Sequence, residues 1–414
     1  MAKITALIEN TGQVLTCARD AADLVGAQKN VVVAISGDTI AAIGTPAEIA
    51  AAHDLSGAKR VNAMGGMVMP GFVDCHTHLV FHKSRVEEYA QKVIGRTSAE
   101  IKAMGIPTGI TATARMMREA TKEQLADSAA ERLQHMLAFG TTTVESKSGY
   151  GLNTATEIKM LEVNQILAKR QPIEVVSTFL GAHEFPDDKP RDEYIAEILN
   201  EMIPEVGRRK LAEFNDVYCD DGYYTVAESR TILEKGLEHG LKIKIHTDAY
   251  SHIGGSTLAA ELRAVSADHM NYTDPAEYAL LRDAGVVCVV MPALDFSVGH
   301  DRPFDARAML DAGVTLALAT DMCPGCWLES MPFVVQLACR LYKFSPAEAI
   351  RAGTLHAAMA LDRGDRLGSL EVGKQADIAI FPYERFEDMA YRLGRGRARK
   401  VLKSGEVVFD AGTA

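Results

Sequence analysis

Residues 69–78 read MPGFVDCHTH, an apolar run that ends in two histidines separated by one residue. In a β-strand, the side chains at positions i and i+2 point to the same face. His76 and His78 can therefore chelate one metal ion together. Histidine pairs with this spacing also occur on exposed strands, so the meaning of the pair depends on the rest of the chain.

The composition limits the kind of partner. The chain has 414 residues and a formal net charge of −11, which argues against a nucleic-acid or anionic-membrane partner and favours a small-molecule substrate. No segment approaches the ~18 consecutive apolar residues of a membrane span, and the N-terminus lacks a signal-peptide pattern. The seven cysteines have no disulfide-framework spacing, so we expect a cytoplasmic protein.

The middle of the chain alternates short apolar runs with longer amphipathic stretches, for example Lys122–Leu137 and Ala155–Arg170. This alternation is typical of a parallel sheet. An open doubly wound sheet would more often show a Gly-rich phosphate turn, and none is present. We therefore predict an α/β fold with a (β/α)8 TIM-type barrel over residues 67–366. The eight strand candidates are Val68–Asp74, Thr141–Glu145, Glu174–Leu180, Asp216–Cys219, Leu241–Ile245, Ala264–Ser266, Val286–Met291 and Val314–Ala319.

Both ends of the chain carry short strands with tight turns. Neither end has enough strands for a stable sheet by itself, so residues 1–66 and 367–414 are predicted to form one small β-sandwich together. The stretch between the first two barrel strands, residues 81–140, is longer than one crossover helix needs. We expect it to fold partly over the active-site face.

Polar residues stand where the predicted strands end, which is where TIM barrels place functional groups. A single histidine is more often structural, and we give that interpretation to His53, His135, His239 and His356. A cluster of such polar residues at one rim of the predicted barrel is harder to explain as structural. The residues at this rim are His76, His78, His183, His246, Asp268, His269 and Asp321.

Three imidazoles and one carboxylate form a ligand set that suits one Zn²⁺ or Fe²⁺ ion. We assign His76, His78, His246 and Asp321 to it. Such an ion lowers the pKa of a bound water and polarises a carbonyl or amidine group, which indicates a hydrolase. Asp321 is then the candidate for proton transfer to the leaving nitrogen, and His269 is the candidate to stabilise the developing oxyanion.

These residues carry a resemblance that spans nearly the whole chain. The chain resembles the amidohydrolase superfamily, and within it the imidazolonepropionase family, which opens 4-imidazolone-5-propionate to N-formimino-L-glutamate in histidine degradation. The motifs of the superfamily are residues 70–78, His246, residues 266–269, 319–321 and 368–377. Those that point to the narrower family are residues 84–85, 147–152 and 179–183.

The resemblance implies that Arg85 and Tyr150 contact the propionate carboxylate and that His183 contacts the substrate ring. Without the resemblance, Arg85 could equally form a surface salt bridge with Glu87 or Glu88. Some amidohydrolases use a carboxylated lysine between two metals. The Ser-Gly-Tyr that follows the lysine at position 147 matches the mononuclear relatives, so one metal is expected. A homodimer is expected from the resemblance alone.

Several positions depart from the family pattern. Ala249 replaces an acidic or amide residue, Cys323 replaces an asparagine, Pro107 begins a stretch that is Gly-rich in the family, and a tyrosine expected near Ser98 is missing. The Cys-x-x-Cys that ends at Cys326 is read as a pocket-lining loop rather than a redox pair. These departures keep two alternatives open.

The first alternative is a related amidohydrolase that opens another cyclic amide or hydantoin-like ring, or that deaminates an amino-substituted heterocycle. Release of ammonia would distinguish a deaminase from a ring-opening enzyme. The second is a non-catalytic binding or scaffold protein that keeps the barrel. Loss of metal ligands would mark such a protein, and all four assigned ligands are present.

Overall fold

The computed structural model describes residues 3–302 and 304–412, and within those ranges strands and helices alternate along the chain. The strands are β1 Ala6–Glu9, β2 Gln13–Leu15, β3 Ala27–Gln28, β4 Val32–Ser36, β5 Thr39–Gly44, β6 Lys59–Asn62, β7 Met67–Pro70, β8 Phe72–Asp74, β9 Thr141–Lys147, β10 Glu174–Ala182, β11 Phe214–Cys219, β12 Lys242–Thr247, β13 Ser266–His269, β14 Val287–Val290, β15 Leu316–Leu318, β16 Ile378–Phe381, β17 Lys400–Lys403 and β18 Glu406–Asp410.

The helices surround the strands of the central part of the chain. They are α1 Pro46–Ala52, α2 Val86–Lys92, α3 Ser98–Ala103, α4 Gly109–Glu119, α5 Lys122–Ala138, α6 Thr154–Arg170, α7 Arg191–Glu197, α8 Ile203–Arg209, α9 Val226–Glu238, α10 Gly255–Glu261, α11 Tyr278–Ala284, α12 Pro292–Val298, α13 Ala306–Asp311, α14 Met331–Leu341, α15 Pro346–Arg351, α16 Ala357–Met359 and α17 Glu387–Tyr391. None of these helices is both long and apolar enough to cross a membrane, within the residues that the structure describes.

Strands β8 to β15 form one parallel sheet in which each strand pairs with the next in chain order. The two ends of this sheet meet just beyond β8 and β15. There Thr77 bridges Met322, the His78 N–H donates to the Met322 carbonyl at 2.9 Å, and the Asp321 N–H donates to the His76 carbonyl at 3.1 Å. The predicted (β/α)8 barrel is confirmed, and its closing seam runs through the histidine pair.

Both faces of the barrel sheet are buried. In β14, Val287 and Val289 belong to the apolar cluster inside the barrel, while Cys288 and Val290 belong to the cluster shared with the outer helices. Alternate residues of a strand point to opposite faces, so a strand with helices outside and a packed interior must be apolar throughout. This explains the continuous apolar runs from which the barrel was predicted.

Two further sheets use the ends of the chain. One has the order β5-β4-β1-β6, and the other has the order β18-β17-β16-β7-β2-β3, so strands from both termini share it. An apolar cluster that contains Ile8, Val33, Ile378 and Leu402 joins the two sheets. The boundaries at residues 66/67 and 366/367 stay a prediction.

The strand expected over Val68–Asp74 is in fact two strands in different sheets. β7 pairs with β16 and β2, whereas β8 pairs with β9 in the barrel. The chain changes sheet at Gly71, where the N–H donates to the Asp377 carbonyl at 2.9 Å and a Cβ would lie 2.4 Å from the Thr142 side chain. Both segments are apolar, so the sequence pattern could not separate them.

The long segment between β8 and β9 lies against loops at the carboxyl ends of the barrel strands. The Arg85 N–H donates to the Pro324 carbonyl at 2.9 Å, beyond β15. On α4, Arg115 and Arg118 pair with Asp187 and Asp188, beyond β10, at 2.7 and 3.0 Å. The segment therefore lies on the face where the strand-end histidines stand.

Candidate metal centre

The strand-end histidines converge at the carboxyl end of the barrel. His76 and His78 follow β8, and His246 lies near the end of β12. The ring centroids of His76 and His246 are 4.5 Å apart, and those of His78 and His246 are 5.9 Å apart. One ligand nitrogen from each of the three rings lies within 4.8 Å of the others. The tertiary fold thus brings together imidazoles that are up to 170 positions apart in the chain, from 246 − 76.

Asp321 completes this group. Its Oδ1 lies 3.7 Å from Nε2 of His76 and 3.7 Å from Nε2 of His78. The seam of the barrel places it there, because the residue lies three positions beyond the end of β15 and its N–H donates to the His76 carbonyl. The structure therefore brings all four predicted ligands to one point.

The donor set fits a cation because its atoms lack other partners. Nε2 of His76, Nε2 of His246 and Oδ1 of Asp321 are buried and have no hydrogen bond within the described part of the chain. Unpaired buried polar atoms are rare in folded proteins, because each costs about 1–3 kcal/mol. A divalent ion among the four donors would satisfy them together.

The histidines are held neutral, as ligation requires. Burial, reinforced by the charge of Lys147, lowers the pKa of His76 and of His246 well below the usual value. Burial and the neighbouring His183 do the same for His78. Burial raises the pKa of Asp321 well above the usual carboxyl range, a shift that a cation beside its Oδ1 would oppose.

A layer of buried charge lies beneath the four donors. His76 Nδ1 donates to Asp268 Oδ2 at 2.6 Å, and His246 Nδ1 lies 3.0 Å from Asp216 Oδ2. Lys147 Nζ lies 2.7 Å from Asp216 Oδ2 and 3.4 Å from Asp268 Oδ2. A carboxylate that accepts a hydrogen bond from a ligand imidazole, as Asp268 does from His76, sets the tautomer and the ring position.

Two further charges complete this layer. Lys147 Nζ is 3.0 Å from Glu145 Oε2, and Lys244 Nζ is 3.1 Å from Glu145 Oε1. All of these side chains are fully buried. Sequence reasoning did not assign a role to the charged residues of this layer. The one sequence feature that could have found them is the charged pair at positions 145 and 147 of β9, because residues two apart in a strand share a face and here point toward the barrel interior.

The surroundings of Lys147 favour its charged ammonium form. Burial alone would lower its pKa, but Asp216, Glu145 and Asp268 outweigh burial and raise the pKa above the usual value. A carboxylated lysine would place a fourth negative charge among these three carboxylates. The surroundings of Lys147 thus favour the single metal expected from the Ser-Gly-Tyr context.

Two of the residues expected to contact substrate, Tyr150 and His183, lie beside the metal donor His78. The His183 ring stacks on the His78 ring with centroids 4.8 Å apart and an angle of 6°. The Tyr150 ring is 5.3 Å from the His183 ring. His183 Nδ1 donates to the Gly149 carbonyl at 3.1 Å, which leaves Nε2 as the ring nitrogen free to meet a ligand. Burial lowers the pKa of His183 to about 4.

Arg85 has both of the environments considered for it. Its Nε lies 3.3 Å from Glu88 Oε2, so the ion pair exists. Its Nη2 also lies against Gly325, where a Cβ would come within 2.4 Å. The positive charge of Arg85 acts to lower the pKa of Tyr150 and of His183. The structure therefore brings Arg85 to the side of the centre where a substrate carboxylate is expected.

His269 lies beside the centre. Its ring centroid is 5.3 Å from that of His76 and 5.2 Å from that of His246, and burial lowers its pKa to about 4. One possible ligand atom from each of His269, His76 and Asp321 also lies within 4.8 Å of the others, so these three residues could hold a metal ion together. His269 and Asp321 both have left-handed backbone, at φ 87° and 48°. Such strain persists only where the surrounding structure enforces it, as it often does at active sites.

The departures from the family pattern fall in different places. Ala249 is buried, its N–H donates to Asp220 at 2.9 Å and its carbonyl accepts from His300 Nε2 at 2.9 Å. Cys323 forms a tight turn with Cys326, with backbone hydrogen bonds in both directions, and lies beside Tyr150.

The other two departures lie in the long segment between β8 and β9. Ser98 begins α3, and Pro107 lies between α3 and α4. Cys323, by contrast, lies two residues from the donor Asp321, and Ala249 lies three residues from the donor His246.

Comparison with known proteins identifies the family of the chain. The sequence model of the amidohydrolase family matches residues 67–408. The chain is 42% identical over 387 residues to an imidazolonepropionase of Shouchella clausii, covering 92% of this chain and 86% of the relative. It is 43% identical over 383 residues to an imidazolonepropionase of Geobacillus kaustophilus, covering 91% of this chain and 90% of the relative.

A solved structure shares the fold. The crystal structure of an adenosine deaminase from Xanthomonas campestris with bound zinc superposes with a TM-score of 0.74 at 22% identity, covering 99% of this chain and 94% of that one. Family membership together with the donor set indicates that this protein uses a divalent metal ion. On these grounds the chain belongs to the amidohydrolase family.

Proposed function

We propose that this chain hydrolyses a five-membered cyclic amide, and that its substrate is 4-imidazolone-5-propionate, opened to N-formimino-L-glutamate. The observation that carries the proposal is a four-donor centre with Arg85, Tyr150 and His183 on one side of it. The relatives named imidazolonepropionase, at 42% and 43% identity, support the choice of substrate.

His76, His78, His246 and Asp321 would hold the ion. A divalent cation at these donors supplies Lewis acidity, which lowers the pKa of a water molecule and polarises the ring carbonyl. We propose Zn²⁺ or Fe²⁺, since imidazole and carboxylate ligands suit both. Metal analysis of protein purified without chelator, followed by reconstitution of the stripped protein with each ion, tests this choice.

The remaining chemistry belongs to the side chains. Asp321 accepts a proton from the attacking water and transfers it to the ring nitrogen as the carbon–nitrogen bond breaks. His269, at the edge of the centre, donates a hydrogen bond to the oxygen on which negative charge develops. His183 stacks beside His78 and presents Nε2 to the substrate ring.

Arg85 binds the propionate carboxylate in this proposal. Its planar fork of donors matches a carboxylate bidentately, and Glu88, at 3.3 Å from Nε, orients the fork. No other carboxylate of the described residues lies within ion-pairing distance of Arg85. The guanidinium can therefore bind a substrate carboxylate without giving up its existing ion pair.

The test is turnover by the metal-loaded protein. We expect loss of 4-imidazolone-5-propionate absorbance and a product heavier by one water, without ammonia. Asp321→Asn should keep the metal and lose about 10²–10⁴-fold in kcat. Arg85→Gln should raise KM, while Arg96→Gln, on the same segment, serves as the matched control. Near-normal turnover of Asp321→Asn would contradict the assigned proton transfer.

Inertness toward this substrate, with turnover of another cyclic amide or release of ammonia from an amino-substituted heterocycle, would favour the alternative amidohydrolase function. The substitutions at Ala249 and Cys323 are the reason to include such compounds. We also propose a homodimer in the cytoplasm. Light scattering during gel filtration tests the assembly, and fractionation of cells tests the location.

A further inference from the structure

A second cavity lies on the opposite side of the barrel from the metal centre. It has a volume of about 310 Å³ and is lined by Phe139, Pro382, Tyr383, Arg392 and residues 394–397. Phe139 stands just before the amino end of β9, whereas the metal centre stands at the carboxyl ends of the barrel strands. We call this cavity the arginine pocket.

The lining of the arginine pocket is basic in an acidic protein. Residues 391–400 read YRLGRGRARK, although the whole chain has a net charge of −11. Arg392 pairs with Asp388 at 3.3 Å. Arg395 and Arg397 have no carboxylate partner among residues 3–302 and 304–412, and Arg397 lies over the Phe409 ring at 5.6 Å. Two guanidinium groups of the lining are thus free to bind an anion.

A buried hydroxyl gives a second, independent indication of a ligand. Tyr383 is 2% exposed, and its hydroxyl oxygen has no hydrogen-bond partner in the part of the chain that the structure describes. Burial raises the pKa of Tyr383, and the nearby charges of Arg392 and Arg395 oppose that rise. A buried hydroxyl without a partner costs about 1–3 kcal/mol, which a ligand oxygen would recover.

The loop that carries the arginines is held in place before any ligand arrives. Gln336, fully buried in α14, donates to the Arg395 carbonyl at 2.6 Å and to the Met389 carbonyl at 3.1 Å, and accepts from the Gly394 N–H at 2.9 Å. Gly396 packs against Pro332, where a Cβ would come within 2.6 Å. Preorganisation of this kind reduces the entropy cost of binding.

We propose that the arginine pocket binds the phosphate group of a small phosphorylated metabolite. A phosphate monoester carries close to two negative charges near neutral pH and offers three acceptor oxygens, which match several guanidiniums and a hydroxyl. Phe139 and Pro382 provide an apolar wall for the organic part. The volume, at the lower end of the range for ligand pockets, suits a small molecule rather than a polymer.

Titration calorimetry of the metal-loaded protein with ribose 5-phosphate tests the proposal, and ribose is the uncharged control ligand. We expect saturable binding of the phosphate ester and none of ribose. Arg395→Gln should weaken that binding by about tenfold or more, as expected when a hydrogen bond to a charged group is lost. Arg263→Gln, an exposed arginine elsewhere on the surface, should bind as the wild type does.

Hydrolytic activity of Arg395→Gln should stay unchanged, which shows that the variant is folded. Equal affinity of wild type and Arg395→Gln would overturn the proposal, since it would place the ligand elsewhere, for example at the metal. Absence of binding by the wild type would overturn it as well. Competition by single-stranded RNA at lower concentration than the sugar phosphate would replace it with a nucleic-acid surface. The binding outcomes do not depend on which substrate the metal centre hydrolyses.

Discussion

Replacement of Lys147 by methionine tests the buried layer beneath the metal centre. Lys147 Nζ lies 2.7 Å from Asp216, 3.0 Å from Glu145 and 3.4 Å from Asp268, all fully buried. With Lys244, the layer holds three carboxylates and two ammonium groups, a net charge of −1 from 2 − 3. Lys147→Met would change that net charge to −2 with little change in volume.

The expected loss of stability in Lys147→Met follows from the burial of its ion pairs. Removing one partner of a buried ion pair typically costs about 3–5 kcal/mol, because the remaining charge stays out of water. The loss should reach the metal as well, since Asp268 orients His76 and Asp216 lies 3.0 Å from His246 Nδ1. Mutations of groups that orient metal ligands weaken metal affinity by about 10–100-fold.

Urea unfolding of the metal-stripped protein, followed by circular dichroism, measures the first effect, and competition with a chelator measures the second. Lys159→Met is the control, because within the described residues Lys159 Nζ donates to backbone carbonyls and not to a carboxylate. Its acceptors include the carbonyls of Met117, at 2.6 Å, and Ala120, at 2.9 Å. We expect a loss of about 1 kcal/mol there and no change in metal affinity. A Lys147→Met protein as stable as the control, with unaltered metal affinity, would refute the reasoning.

Three further predictions concern the site and the fold. Gly149→Ala should lower kcat/KM about 10–100-fold, because the φ of Gly149 is 106° and an added Cβ would lie 2.9 Å from His183 Nδ1 and displace that ring. Normal kinetics of this variant would contradict the prediction. His356 donates to the Leu316 carbonyl and accepts from Arg351 Nε, so it must be neutral, and burial lowers its pKa to about 4. Because the pKa of His356 is lower in the folded than in the unfolded state, its contribution to the free energy of unfolding is complete above about pH 6.5 and is lost as the pH falls towards 4. The loss is roughly 2 kcal/mol by pH 5. In urea titrations, the stability of His356→Gln should therefore fall less steeply at acid pH than that of the wild type, and an identical fall would refute this. Removal of the metal by a chelator should lower the free energy of unfolding by about 2.7 kcal/mol, compared with protein in a free metal concentration of one hundred times the Kd. Thermal unfolding measures this difference, and an unchanged melting temperature would argue against a bound ion.

Much of the architecture was predictable from local pattern. The β14 region reads as a strand because all four of its residues are apolar and it lies between helical stretches. The convergence of His76, His78, His246 and Asp321 was predictable because barrel strands present their carboxyl ends to one face, so residues that follow different strands meet there. The segment over Val68–Asp74 was mispredicted as one strand, because apolar runs on both sides of Gly71 carry no sign of which sheet they join.

The sequence by itself determined which residue types stand at the strand ends, and therefore that imidazoles and a carboxylate would share one face of a barrel. Only the tertiary structure decided what lies behind them. The ion pair of Lys147 with Asp216, 69 positions away, and the hydrogen bond of His76 to Asp268, 192 positions away, join residues far apart in the chain. Periodicity reports which face of its own strand or helix a side chain occupies, whereas the partner across the fold depends on packing that no local pattern encodes.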